Sequence, residues 1–298
     1  MATRSLPAAH PVKGALLCLG SLALFACMDT TTKYLVESHA APLIVAVRYF
    51  GNLVLMTVLL GPTHGRQMVR TQRTGLVLLR AVCLASASLL IALALQRMPV
   101  AETTAITFLA PILLVGVAGP LLGERTGWVG WIATLAGFAG VLLIVRPGSG
   151  LVASGVILTL CAVGTNLGYQ LLSRVLAATE TTFALLFYTA LTGSILYALA
   201  LPWFIEDTAP SLLEAVLLLS LGVYGGLGHF LFTAAFRYAP ASVLAPLNYI
   251  QLLWAGLLGW LVFGHIPDPV SLLGMGIVAG SGVLVALKTR RPPAKRTA

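Results

Sequence analysis

Long apolar runs separated by short polar gaps fill almost the whole chain. A spanning helix needs about 20 predominantly apolar residues. Runs of that kind fall at roughly 14–35, 42–61, 74–96, 100–122, 128–146, 150–172, 181–201, 212–236, 240–263 and 269–287. The pattern predicts an all-α integral membrane protein of ten transmembrane helices, with no room in the gaps for an extramembrane domain. Gly and Pro interrupt several runs, as at Pro111, Gly116, Pro120, Gly225, Gly226, Gly228 and Pro246. Membrane helices tolerate such breaks where neighbours satisfy the freed backbone groups. Pro111 and Pro246 therefore predict static kinks or points of bending within their spans.

Two stretches read alike. "ALQRMPVAETTAI" runs from Ala94 to Ile106 and "AAFRYAPASVLAP" from Ala234 to Pro246, sharing Ala94/Ala234, Arg97/Arg237, Ala101/Ala241 and Ala105/Ala245 without gaps. Gly123 matches Gly264, and "GVLLI" (Gly140–Ile144) matches "GVLVA" (Gly282–Ala286). Five predicted spans separate the copies, and five is odd, so the copies face opposite sides. The chain then divides into an N-terminal segment (1–13), two inverted five-helix repeats (14–146 and 150–287) and a basic tail (288–298). Inverted halves that exchange packings give alternating access to a site near the bilayer midplane.

Composition agrees: 58% of residues are hydrophobic, 9% are charged, and mean hydropathy is +0.96, against about 25% charged residues in a soluble domain. Thirteen Lys and Arg fall in the segments on the side of the N-terminus and three (Lys33, Arg97 and Arg146) on the other, with Arg48 and Arg80 inside spans. By the positive-inside rule both termini are cytoplasmic, and the acidic pair Glu206 and Asp207 lies outside. The net charge of +9 thus reports topology, not nucleic-acid binding. The opening residues lead into a long run containing Asp29 and not into a cleavable signal. Cys18, Cys27, Cys83 and Cys161 lie in apolar runs without metal-ligand spacing and read as small buried hydrophobes.

The ten runs arranged as five and five, Arg48 in "VAVRYFGN", the stretch "ALQRMPVAETTAITFLAPILLVGVAGPLLGER" followed by "GVLLIVRP", and its later counterpart "AAFRYAPASVLAPLNYIQLLWAGLLGWLVFGH" resemble the EamA family of the drug/metabolite transporter superfamily. The resemblance covers about residues 13 to 288. It implies transport of small metabolites across a bacterial inner membrane, many members exporting amino acids. It also implies a central cavity lined by the third, fourth, eighth and ninth spans with help from the first and sixth, the fifth and tenth being peripheral. Many members carry a Trp-Gly-x-Asn-like stretch in the first span; this chain has "FACMDTTTKYL", with Asp29 in that region.

Ionisable groups in hydrocarbon must face protein or water. Asp29 and Arg48 stand at similar depth in consecutive spans, which predicts either a structural ion pair or a gate that binds a carboxylate or ammonium. Arg80 stands near a span end, from which its stem can snorkel to headgroups. His229 in "YGGLGHFLF" reads as a packed core residue or as a substrate or proton contact, its three neighbouring glycines allowing close helix approach or local flexibility. Uncharged polar candidates for the cavity are Ser86 (with Ser88 nearby), Thr104, Asn166 and Asn248. Phe108, Tyr169, Tyr249 and Trp254 supply apolar walls. Asn166 and Tyr169, and likewise Asn248 and Gln251, are three residues apart and share helix faces.

No HExxH, Gly-x-Ser-x-Gly or Walker motif occurs, so the sequence predicts no enzyme, cofactor, metal or direct ATP use. The expected activity is secondary transport of small metabolites, amino acids first, with a drug, cation or nucleotide-type exporter as the alternative. A channel or an integral-membrane enzyme is the reading from other classes. The expected partners are the lipid bilayer and a small-molecule substrate.

Overall fold

The computed structural model describes residues 11–122, 128–146, 149–177, 179–204, 210–235, 238 and 244–288. Arg237 and Ala241 of the second copy, Gly123, the Glu206–Asp207 pair and both chain ends fall outside them. The described residues are helical throughout, without strands. The helices are α1 (Pro11–Leu35), α2 (Ala41–Val69), α3 (Thr74–Leu95), α4 (Val100–Thr107), α5 (Leu109–Leu122), α6 (Trp128–Ile144), α7 (Ala153–Leu176), α8 (Thr182–Ala200), α9 (Leu212–Ala235), α10 (Ile250–Phe263) and α11 (Pro269–Lys288). Short 3-10 turns at Leu201–Trp203 and Ala245–Tyr249 follow α8 and precede α10. Six helices are long and apolar enough to cross a membrane by length and composition, and four shorter apolar stretches accompany them. Large apolar side chains point outward, among them Leu135 at 66%, Leu219 at 70% and Leu253 at 71% exposure. A water-soluble surface rarely carries so much contiguous apolar area, whereas a lipid-facing one requires it. The chain is a membrane-embedded helical bundle.

Local chemistry sets the helix ends. Asp268 caps α11, its Oδ1 accepting from Val270 N (3.0 Å) and Ser271 N (3.2 Å), with Pro269 as the first helical residue. That is the arrangement a helix start favours. Ser211 and Glu214 form a reciprocal capping box at the start of α9. Gly264 closes α10 in the left-handed conformation (φ 67°), open at little cost to glycine alone.

The predicted fourth span is two helices. Proline at 111 cannot donate to the Thr107 carbonyl and crowds it. Accordingly α4 stops at Thr107 and α5 starts at Leu109. The predicted ninth span also begins irregularly, as the 3-10 turn with Pro246 near its start. Helix α2 is longer than its apolar run and continues through Pro62 to Val69.

Packing departs from chain order. Helix α1 lies on α9, α3 on α7, α2 on α8 and α6 on α11; α9 also lies on α2, α8 on α3, α10 on α1 and α5 on α7. Consecutive α1 and α2 are thus bridged by α9. The glycines of α9 face both: a Cβ at Gly222 would stand 2.8 Å from Gly51 Cα of α2, and one at Gly228 would stand 2.7 Å from the Phe25 ring of α1. This glycine seam serves close approach. Of the four cysteines, Cys18 is buried, Cys27 and Cys83 are half-buried and Cys161 is exposed. The expectation of four buried thiols fails at Cys161, whose turn of α7 faces outward.

The Gly222–Gly51 contact is backbone against backbone, which no rotamer change relieves. Gly222→Ala is expected to lower stability by about 1–3 kcal/mol, read as a lower melting temperature in detergent. Gly256→Ala, with nothing within 4 Å of its Cβ, is expected to leave melting unchanged.

Candidate functional site

Asp29 on α1 is half-buried and accepts one long hydrogen bond, from Gln251 Nε2 of α10 at 3.4 Å. Arg48 on α2 is also half-buried. It crosses α9 at Gly225, whose Cβ position lies 3.9 Å from Arg48 Cγ and 3.8 Å from Met28 Sδ. Its Nη1 reaches Met28 Sδ at 3.8 Å and its guanidinium lies 5.3 Å from the Tyr49 ring centre. The expected direct Asp29–Arg48 ion pair does not form: among the described residues Arg48 pairs with no acid, because α9 separates the two helices. Its charge nevertheless acts on Asp29, Tyr49 and His229. The two opposite charges share one region, and each keeps bonding capacity to spare.

Arg80 does not snorkel. It is 4% exposed and turned inward. Nε donates to Ser173 Oγ (2.6 Å), Nη1 to Leu185 O (3.1 Å) and Thr189 Oγ1 (2.9 Å), and Nη2 to Tyr169 OH (2.9 Å), with the Tyr169 ring 4.4 Å from the guanidinium. The Ser173 and Thr189 hydroxyls donate back to Tyr169 O (2.6 Å) and Leu185 O (2.7 Å). Their protons are thereby committed to the preceding helical turn, and their lone pairs are left for Arg80. The result is a cage of oxygens that joins α3, α7 and α8 around a buried cation.

The other expected site residues divide. Tyr169 belongs to the Arg80 cage. His229 stacks on Phe25 (centroids 4.9 Å) within electrostatic reach of Arg48 and Arg80. Asn166 accepts from Gln170 Nε2 along α7 (3.3 Å), and Asn248 accepts from Cys18 Sγ (3.9 Å). Asn248 and Gln251, on their shared face, therefore both reach α1. Phe108, at the α4–α5 break, stacks on Tyr249 (5.0 Å). Tyr249 in turn packs its hydroxyl against α11 where Gly282 leaves room. Thr104 is buried at 5% exposure, and Ser86 is half-buried without a hydrogen bond among the described residues. Ser88, not Ser86, joins the polar centre, bonding Tyr49 OH at 3.0 Å. Trp254 shares the Gln251 face of α10, and its buried Nε1 has no hydrogen-bond partner among the described residues.

Sequence reasoning passed over Tyr49, Ser173 and Thr189. Tyr49 directly follows Arg48, the one cue available. It also passed over the ties at the end of the bundle where α1 finishes. There Glu102, 3% exposed, meets His265 Nε2 at 2.8 Å, Arg146 meets Asp268 at 2.6 Å, and Ser38 bonds Glu214 at 2.9 Å.

The apolar helices thus hold charged and amide groups in the interior of a membrane-embedded bundle. The chain belongs to the EamA-like transporter family, whose description matches residues 12–146 and again 153–287. It is 24% identical over 271 residues to the S-adenosylmethionine uptake transporter of Rickettsia bellii, covering 90% of this chain and 91% of that one. It is 27% identical over 274 residues to the riboflavin transporter of Vibrio cholerae, covering 90% and 91%. It is 27% identical over 203 residues to the pseudopaline exporter CntI of Pseudomonas aeruginosa, covering 66% and 69%. A solved crystal structure shares the fold with a TM-score of 0.65 at 19% identity, covering 93% of this chain and 96% of that one. The protein is a transporter of a small metabolite and not an enzyme.

Hydrogen bonds from Ser271, then Arg146, hold the Asp268 carboxyl well below the usual carboxylate range. A depressed folded-state pKa stabilises above the unfolded value, about 3.9, and that contribution fades as pH falls toward the folded one. Wild type is therefore expected to melt above Asp268→Ala at pH 7, the gap narrowing once pH drops below about 4. A gap that stays constant from pH 7 to pH 3 would show that the carboxylate adds nothing.

Proposed function

We infer that the protein is a secondary transporter working by alternating access in the bacterial inner membrane, with both termini cytoplasmic. In this reading ten spans form two inverted halves. Helices α4 and α5 are one broken span, and the Ala245–Tyr249 turn with α10 is its counterpart. The packing supports it. Exchanging α1 for α7, α2 for α8, α3 for α9, α4–α5 for α10 and α6 for α11 turns the α1–α9 contact into α7–α3, and α2–α9 into α8–α3. It leaves α2–α8 and α6–α11 as they are. Shared ends support it too. Lys33 Nζ at the end of α1 bonds Leu95 O at the end of α3 (2.7 Å), while the start of α7 packs Gly155 against Met98 at that same end.

The substrate carries an amino-carboxylate group, as an amino acid or as a larger metabolite bearing one. The observation that carries this reading is the placing of Asp29 and Arg48: opposite charges in one region, unpaired with each other and each only weakly bonded among the described residues. Arg48 has free guanidinium donors for a carboxylate, and Asp29 has free lone pairs for an ammonium. The unpartnered Trp254 N–H on the Gln251 face offers a third contact for a longer substrate. S-adenosylmethionine, transported by the Rickettsia relative, is a compound with such an amino-carboxylate end.

Proteoliposomes preloaded with unlabelled substrate test this against external labelled amino acids, S-adenosylmethionine, riboflavin, a lipophilic cation and a nucleotide. Saturable counterflow is expected for an amino-carboxylate compound. Asp29→Asn and Arg48→Gln are each expected to cut it by about tenfold to a hundredfold, the worth of one charged hydrogen bond, with melting little changed. Uptake of riboflavin or the cation alone, or full activity in both variants, would remove the amino-carboxylate assignment. Flux that never saturates would point to a channel.

A further inference from the structure

A polar hollow of about 550 Å³ opens at the opposite end of the bundle from the Arg146–Asp268 pair, between the last turns of α2 and the α7–α8 turn. Thr63, Arg66, Gln67 and Arg70 line one wall at i, i+3, i+4 and i+7, a single helix face. Glu180 and Thr181 line the other. Helix α2 has 29 residues, about 43 Å at 1.5 Å per residue, whereas the hydrocarbon layer is about 30 Å thick. Its final two turns therefore project past the hydrocarbon to the level where lipid phosphates lie.

The charge in this hollow is unbalanced. Arg66 and Arg70 are exposed, and among the described residues neither pairs with an acid. Glu180 in the lining offsets one of the two charges, so the hollow keeps a net positive charge, and that carboxylate is already taken up by backbone donors. It accepts from Gln72 N at 3.0 and 3.1 Å and from Arg73 N at 2.7 Å, fastening the α2–α3 turn to the α7–α8 turn. Thr181 Oγ1 donates to Gln67 O at 3.0 Å and strengthens the same junction. The hollow thus has fixed walls and two free guanidiniums one helical turn apart. Guanidinium groups pair with phosphate oxygens through two parallel N–H bonds, a geometry that ammonium groups lack.

We propose that this hollow binds a phosphate-bearing anion, either an anionic phospholipid headgroup or a free phosphate, held by Arg66 and Arg70. Both arginines stand on α2, so the bound anion stabilises the last turns of that helix where they meet the α7–α8 turn. The site is separate from Asp29 and Arg48 and stands whatever the transported substrate is.

The test uses the full chain in nanodiscs of phosphatidylcholine, with and without phosphatidylglycerol, and in detergent with phosphate or chloride at equal ionic strength. Phosphatidylglycerol is expected to raise the wild-type melting temperature by several degrees, less so at high salt. Arg66→Gln/Arg70→Gln should lose most of that shift while melting like wild type in pure phosphatidylcholine, and Arg97→Gln at the other end should keep it. A shift with phosphate in detergent assigns the site to the free anion as well; a shift with lipid alone assigns it to the headgroup. No shift with either, or a full shift in the double variant, overturns the proposal.

Discussion

A polar group in hydrocarbon has no water to bond, so each one must find its partner inside the bundle. The two interior arginines answer this differently. Arg80 is enclosed by four oxygens from α7 and α8 and by the Tyr169 ring. The hydroxyls that receive it are oriented by their own backbone bonds, so the cage exists before any ligand arrives. Arg48 meets one thioether and the face of one aromatic ring, a poor substitute for lost hydration. A cation so weakly supported is the feature on which the proposed substrate site rests.

The glycine seam of α9 makes that arrangement possible. It lets α9 press against α2 at Gly51 and against α1 at Phe25. It also leaves the Gly225 gap through which Arg48 reaches from α2 toward Met28 on α1. A methyl group at Gly225 would just touch Met28 Sδ and Arg48 Cγ, so the gap is filled to contact on both sides. Close packing and the approach of the two charges are one feature of the sequence, not two.

Much of the architecture was legible because hydrocarbon imposes long apolar runs, and those appear directly in the chain. The helix break near Pro111 was legible as a kink, but its position at Phe108 needed the rule that proline frees the carbonyl four residues earlier. Arg80 was misread because its spacing from a span end is the same whether it points to lipid or inward, and only its neighbours decide. The Asp29–Arg48 pair was placed too close because consecutive spans were taken as adjacent, whereas α9 comes between them. Ser88 and Ser86 are two positions apart on α3, and sequence alone gave no reason to choose the one that meets Tyr49.

The same geometry limits what substrate binding accomplishes. A ligand shifts a conformational equilibrium only by the difference between its affinities for the two states. On the proposed alternating-access cycle, a substrate bound at Asp29 and Arg48 moves the balance only if the reach of Arg48 past Gly225 differs between the two states. The ties Glu102–His265 and Arg146–Asp268 join sequence-distant elements at one end of the bundle, and Glu180 and Thr181 join others at the opposite end. On the proposed alternating-access cycle, each set must yield for its end to open. In that reading the depth of each closed state is set by these peripheral bonds, and the choice of molecule by the central charges.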